Sequence, residues 1–234
     1  MNSLATWHPV VPAHELRSGE NIVGALVHGQ ELALWRSAQG VAQAWENRCP
    51  HRGVRLTLGR LVNGRLACGY HGWEYAAGSG RCEAIPALPD IAVPGKVCVK
   101  TYPVWEAHGM VWTSLDAVTA HDPASGHQAP ATDNPALAAG SDPPDAAVFC
   151  RTLAVRCGLG RVHAAMARRG YTAQGPNTWR GSMAGQPMLA FTLSAEPALS
   201  CIHWWCIGQP GSISLSAVFA AARRLRSELE SGAL

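Results

Sequence analysis

The chain has 234 residues, 47% of them hydrophobic and 15% charged, with a formal net charge of +3. That length buries a full core as one large domain or two small ones, and the composition is that of a globular protein. No run of about 18 apolar residues offers a membrane span, and the first residues lack the basic-then-apolar order of a secretory signal, so a cytoplasmic location is expected.

Residues 20–46 read as short strands. Ile22–Val27 turns at His28-Gly29-Gln30 into Leu32–Arg36, and Val41–Trp45 follows a turn ending in Gly40. Asn63-Gly64 is a two-residue hairpin signal leading into Arg65–Cys68. Val97–Tyr102 and Met110–Leu115 are further strands, and the many Gly and Pro turns favour a small β-sandwich or barrel over residues 1–115. Residues 116–148 are rich in Pro, Ala, Asp, Gly and Ser without either period, as in a linker.

From 149 to 234 the pattern is that of a small α+β domain. A strand at Val148–Val155 precedes a helix whose Leu159, Val162, His163 and Met166 share a face, with Gly170 as its cap. Strands are expected at Thr178–Met183, Met188–Ser194 and Cys201–Ile207. Leu215, Val218, Phe219, Ala222, Leu225 and Leu229 then mark a helix, although Ile213–Ala217 also alternates as a strand does. The three segments carry +2, −5 and +6. The basic third segment lacks any nucleic-acid motif, so nucleic acid is not an expected partner, and an acidic protein docking near Arg168 and Arg169 fits the charge as well.

Eight cysteines in a chain of this length do not make a disulfide scaffold. Six of them (Cys82, Cys98, Cys150, Cys157, Cys201 and Cys206) lie mostly among apolar residues, where a thiol packs as a small hydrophobe. The other two belong to Cys49-Pro50-His51-Arg52-Gly53 and Cys68-Gly69-Tyr70-His71-Gly72-Trp73, with sixteen residues between His51 and Cys68. Each loop offers one thiolate and one imidazole. A Cys₂His₂ zinc site usually keeps its cysteines together and its histidines together, whereas a Rieske centre holds one iron by two cysteines and the other by two histidines. The mixed loops fit one [2Fe–2S] cluster per chain, with Cys49 and Cys68 on one iron and His51 and His71 on the other.

Residues 7–115 resemble the Rieske domain of the aromatic-ring-hydroxylating (Rieske non-haem iron) oxygenases. The resemblance rests on Trp7 and Pro9, the two cluster loops, Gly80-x-Cys82-x-x-Ile85-Pro86, Tyr102-Pro103-Val104 and Gly109-Met110-Val111-Trp112. Neither cluster loop carries the extra cysteine of respiratory Rieske proteins, and Cys82 belongs to the family's structural pattern. The resemblance implies a β-rich Rieske domain followed by an α+β domain resembling a fragment of the oxygenase catalytic domain.

The family's second site, a mononuclear iron on a His-x₄-His pair and a carboxylate, has no match here. Between Asp145 and Glu196 there is no carboxylate, and His121 and His127 lie in the Pro-rich segment. His163, His203 and one of Glu196, Glu228 or Glu230 are the conceivable substitutes, with two core histidines as the simpler reading. The expectation is therefore an electron-transfer subunit without its own oxygen-activating iron. It would be fed by a ferredoxin or flavin reductase and would pass electrons to a catalytic oxygenase subunit. The alternatives are a compact terminal oxygenase with an atypical iron site, or a regulatory or assembly partner. Arg52 and Arg55 flank the first cluster loop as partner contacts or solvated charges, and Trp204-Trp205 either stack a ligand or pack on two faces of a strand.

Overall fold

The structure, a computed structural model, describes residues 6–93, 95–115, 147–208 and 214–232. The expected linker lies almost wholly outside these residues, as do His121 and His127.

The N-terminal region is built from three small antiparallel sheets. The first contains β2 (Ile22–Val27), β3 (Gln30–Arg36), β4 (Ala42–Glu46) and β9 (Thr101–Tyr102), in that order. The second runs β5 (Arg60–Val62), β6 (Arg65–Ala67), β7 (Glu74–Ala76) and β8 (Cys82–Ala84). The third joins β1 (His8–Pro12), β11 (Met110–Thr113) and β10 (Val104–Ala107). The Asn63-Gly64 signal holds: Val62 pairs with Arg65, and both turn residues have positive φ, as a type I′ hairpin requires.

The C-terminal region is one antiparallel sheet of five strands with two helices. Its order is β12 (Ala147–Val155), β16 (Leu199–Ile207), β15 (Gln186–Glu196), β14 (Thr178–Met183) and β13 (Thr172–Gly175). The first helix, α1 (Leu159–Arg168), ends where the Tyr171 N–H donates to the Met166 carbonyl around Gly170. For the second, the helical period wins over the strand alternation, giving α2 (Leu215–Ser231). Its Val218, Ala222, Leu225 and Leu229 recur at helical spacing and are all buried against the sheet.

The sheet is covered on both sides. Ile202, Trp204 and Cys206 face the helices with Leu153, Val155, Met188 and Ala190. Trp205, Leu189 and Phe191 face the other way, onto Met110 and Trp112, while Leu193 joins Val10, Val11 and Leu34. β15 is therefore buried without interruption from Met188 to Leu193, which is why it reads as a continuous apolar run instead of an alternation. The adjacent tryptophans of β16 pack on its two faces and leave no stacking platform.

The two C-terminal histidines also take opposite faces. His163 on α1 meets the Thr192 hydroxyl at 3.0 Å (Nε2 to Oγ1), and Thr192 pairs with the helix-side Ile202. His203 pairs with Phe191 on the other face, and its Nδ1 lies 2.9 Å from the Thr152 Oγ1. A sheet separates them, so the conceivable triad of His163, His203 and a carboxylate is not assembled. Glu228 and Glu230 are held instead by Arg169 and by Arg226 with the Arg156 N–H. Arg169 is thus tied to α2 rather than presented for docking.

Burial pushes the His203 imidazole down to about 4, against a smaller upward pull from the backbone of Pro9. The unfolded chain takes up this proton near its ordinary value of 6.5, so it binds more protons than the folded chain between the two values. Stability is complete above about 6.5 and falls as pH drops toward 4, by about 3 kcal/mol from this one group. His163, lowered by burial as well, acts in the same direction. Denaturant midpoints measured from pH 7 to 4.5 should fall steeply, and His203→Gln should flatten that slope. An equal slope in the variant would remove His203 from the cause.

Candidate metal centre

Two loops project from the β5–β8 sheet and its neighbour β4, and they are built alike. In the first, the Gly53 N–H donates to the Cys49 carbonyl at 2.8 Å and the Cys49 N–H to the Val54 carbonyl at 2.8 Å. In the second, the Gly72 N–H donates to the Cys68 carbonyl at 3.0 Å and the Cys68 N–H to the Trp73 carbonyl at 2.9 Å. Closing such a turn needs a left-handed residue at its fourth step, and Gly53 (φ 73°) and Gly72 (φ 70°) supply it. Each loop therefore directs a cysteine inward and a histidine outward. Cys49 and Cys68 are each 2% exposed and share a core with Leu56, Leu66, Tyr75 and Cys82. His51 and His71 reach the surface.

The four residues singled out by the sequence are brought to one place. The two imidazoles face each other through Nδ1, 3.1 Å apart. Two ligands about 2.1 Å from a shared metal lie that far apart when they subtend somewhat more than a right angle. His51 is stacked on Trp73 (4.0 Å between centroids, 8° between planes) and His71 on Tyr70 (3.8 Å, 28°), so both rings are held in orientation. The His51 pKa is lowered, first by burial and then by the nearby His71 and Arg52, which keeps its ring in the neutral form a metal needs. Burial raises the Cys68 thiol, as does its contact with Cys49, while the Tyr70 and His71 backbone N–H groups aimed at its sulfur pull the other way. Those donors favour the thiolate over the thiol and would remain useful to a sulfur bonded to iron.

Among the described residues, no three His, Cys, Asp or Glu side chains converge on a point suited to a single metal ion. A binuclear cluster asks less of each point, since two protein ligands per iron suffice. A paired-thiol floor beneath a paired-imidazole rim has that form, and the donor set fits a [2Fe–2S] cluster.

Tyr75 is the functional residue that sequence reading missed. Its hydroxyl lies 3.1 Å from the Cys49 Sγ, and burial and that thiol push its pKa up, so it stays a donor. The available signal was a fully buried tyrosine on the inward side of β7, whose hydroxyl requires a partner. A donor to a ligating sulfur stabilises the reduced cluster, which carries the extra negative charge. Tyr75→Phe should lower the reduction potential by about 40 mV, the one-electron equivalent of a hydrogen bond of about 1 kcal/mol. Redox titration of the two proteins checks this, and an unchanged or raised potential would exclude the bond. Of the flanking arginines, Arg55 forms a two-pronged ion pair with Glu31 and is not an isolated solvated charge.

A family model for the Rieske [2Fe-2S] domain matches residues 6–103. Residues 6–103 are a Rieske domain. The oxidoreductase NdmD of Pseudomonas putida is 46% identical over 109 residues, 47% of this chain and 18% of the relative. The vanillate O-demethylase oxygenase subunit of a Pseudomonas strain is 36% identical over 135 residues, 57% of this chain and 36% of the relative. The chain thus spans about a third or less of the length of these curated relatives. The crystal structure of apo dicamba monooxygenase superposes over 97% of this chain and 85% of its own, with a TM-score of 0.71 at 19% identity. The chain therefore has the fold of a Rieske oxygenase, in which the Rieske domain is fused to an α+β domain laid out as the catalytic domain.

That superposition corrects four expectations. The reading as an electron-transfer subunit alone fails, because the likeness runs through both regions of a single-chain oxygenase. An enzyme lacking its own oxygen-activating iron domain, and a cofactor set without mononuclear iron, were inferred from an absent sequence motif, which a fold retained at 19% identity does not respect. The separate catalytic subunit expected as partner falls with them, since a region with the fold of the one it would supply is present in this chain. Among the described residues, no helix is long and apolar enough to cross a membrane.

Proposed function

We propose that this chain is a compact terminal oxygenase of the Rieske non-haem iron type, working in the cytoplasm. The observation that carries the reading is the joint superposition of its two regions on a monooxygenase. Cys49 and Cys68 would hold one iron of the cluster and His51 and His71 the other, and the cluster, when bound, supplies one electron at a time. The chain's own residues do the rest around it. Cys49 and Cys68 keep their sulfurs away from water, Trp73 and Tyr70 fix the imidazole planes, and Tyr75, 3.1 Å from the Cys49 sulfur, would donate to it once that sulfur is a thiolate. None of the eight cysteines is in a disulfide, in keeping with a reducing compartment.

The reading implies a further iron that activates oxygen. The described residues do not assemble ligands for it, and the segment that holds His121, His127 and five aspartates lies outside them. Small methoxylated aromatic acids are the substrate class to try first, by likeness to the vanillate O-demethylase subunit. The test is a single turnover: the chain alone, photoreduced without oxygen, is mixed with O₂ and each aromatic acid. Demethylated or hydroxylated product without any second protein is expected. Reoxidation of the cluster with no product from the whole set would contradict the proposal.

A further inference from the structure

The C-terminal sheet holds a pair of sulfurs that the cluster does not use. Register between β12 and β16 slips between Phe149 and Arg151, which makes Cys150 the extra residue of a β-bulge. Opposite it, Cys206 pairs with Val148 and points to the helix side of the sheet. The bulge re-aims Cys150 toward the same side, and its Sγ lies 2.9 Å from the Cys206 Sγ. That is within about 1 Å of the S–S bond length of about 2.0 Å. The Met188 thioether closes the other side of Cys206 at 3.4 Å. Cys206 is fully buried, whereas Cys150 is partly open to solvent. Cys201 lies on the opposite face of the sheet, against the core of the N-terminal region, and does not compete for either sulfur.

We propose that Cys150 and Cys206 are a redox modification site, closing to a disulfide when the chain meets a hydroperoxide. The Cys150 thiolate, its proton given to solvent, attacks the peroxide: an S–O bond forms, the O–O bond breaks, and the leaving oxygen takes a proton back from solvent and departs as an alcohol (water, for hydrogen peroxide). The Cys206 sulfur then attacks the Cys150 sulfenic acid. The S–S bond forms, the S–O bond breaks, and the hydroxyl leaves as water with the Cys206 proton. Two thiols are oxidised by two electrons and one hydroperoxide is reduced. The order follows from access and from acidity. Burial, and then the contact with Cys150, push the Cys206 thiol up to about 12, so it is a poor first attacker on a peroxide and reacts with the sulfenic acid only because that sulfur is held 2.9 Å away. The product would tie the edge strand β12 to its neighbour β16 beneath α2, which packs on that strand.

The test treats the cluster-loaded full chain with hydrogen peroxide, blocks remaining thiols with N-ethylmaleimide in denaturant, and maps peptides without reductant. Cleavage after Trp204 and Trp205 separates Cys201 from Cys206. The expected result is a Cys150–Cys206 linked peptide with the loss of two alkylatable thiols per chain, reversed by dithiothreitol, while Cys82, Cys98, Cys157 and Cys201 remain alkylated. The Cys206→Ser chain should instead yield a dimedone adduct at Cys150. Full alkylation of both residues after peroxide, a link from either one to a different cysteine, or a dimedone adduct absent from Cys206→Ser would overturn the proposal.

Discussion

Replacing His71 with alanine should leave the purified chain without its red-brown colour and without the low-average-g spin signal that dithionite otherwise produces. The argument is one of coordination number. Each iron of the cluster has only two protein ligands, so losing one imidazole leaves its iron held by a single ring. Changing residues that merely support a metal ligand costs about 10–100-fold in metal affinity, and removing the ligand itself costs more. His51→Ala should fail in the same way, because the two Nδ1 atoms face one point. Cys98→Ala, a change at a half-exposed cysteine outside the two loops, should keep colour and signal. Iron and sulfide analysis beside the spin spectrum decides the matter. A full signal in His71→Ala, or its loss in Cys98→Ala, would mean that the ligands are assigned to the wrong residues.

The cluster loops were legible because everything they need is local. Ligand, turn and glycine lie within six residues in each loop, and the two loops repeat one hydrogen-bond pattern. Four of the five strands of the C-terminal sheet were legible for the same reason, the short edge strand β13 being the one missed, and Trp204 and Trp205 were assigned to opposite faces by alternation alone. What escaped depends on long-range packing. The separation of His163 from His203 follows from α1 docking on one face while β1 and β11 cover the other. Tyr75 matters only because β7 sets its hydroxyl beneath a cysteine twenty-six residues away in sequence. The likeness of residues 149–234 to a fragment of a catalytic domain was legible, but the absent ligand motif led to a reading without an oxygen-activating iron, and that reading is the largest error. A search for a ligand motif tests for particular side chains, whereas a superposition at 19% identity tests the path of the backbone.

Iron content tests the central claim most directly, because a cluster domain alone and an oxygenase differ by one metal ion. A Rieske cluster accounts for two irons per chain, and oxygen activation requires an open mononuclear site besides. After anaerobic reconstitution with excess Fe²⁺ and removal of loose metal, the account predicts about three irons per chain. Two belong to the spin signal that His71→Ala abolishes, and a third is retained in that variant. Two irons per chain, both lost in His71→Ala, would contradict the account and reduce the protein to a carrier of electrons.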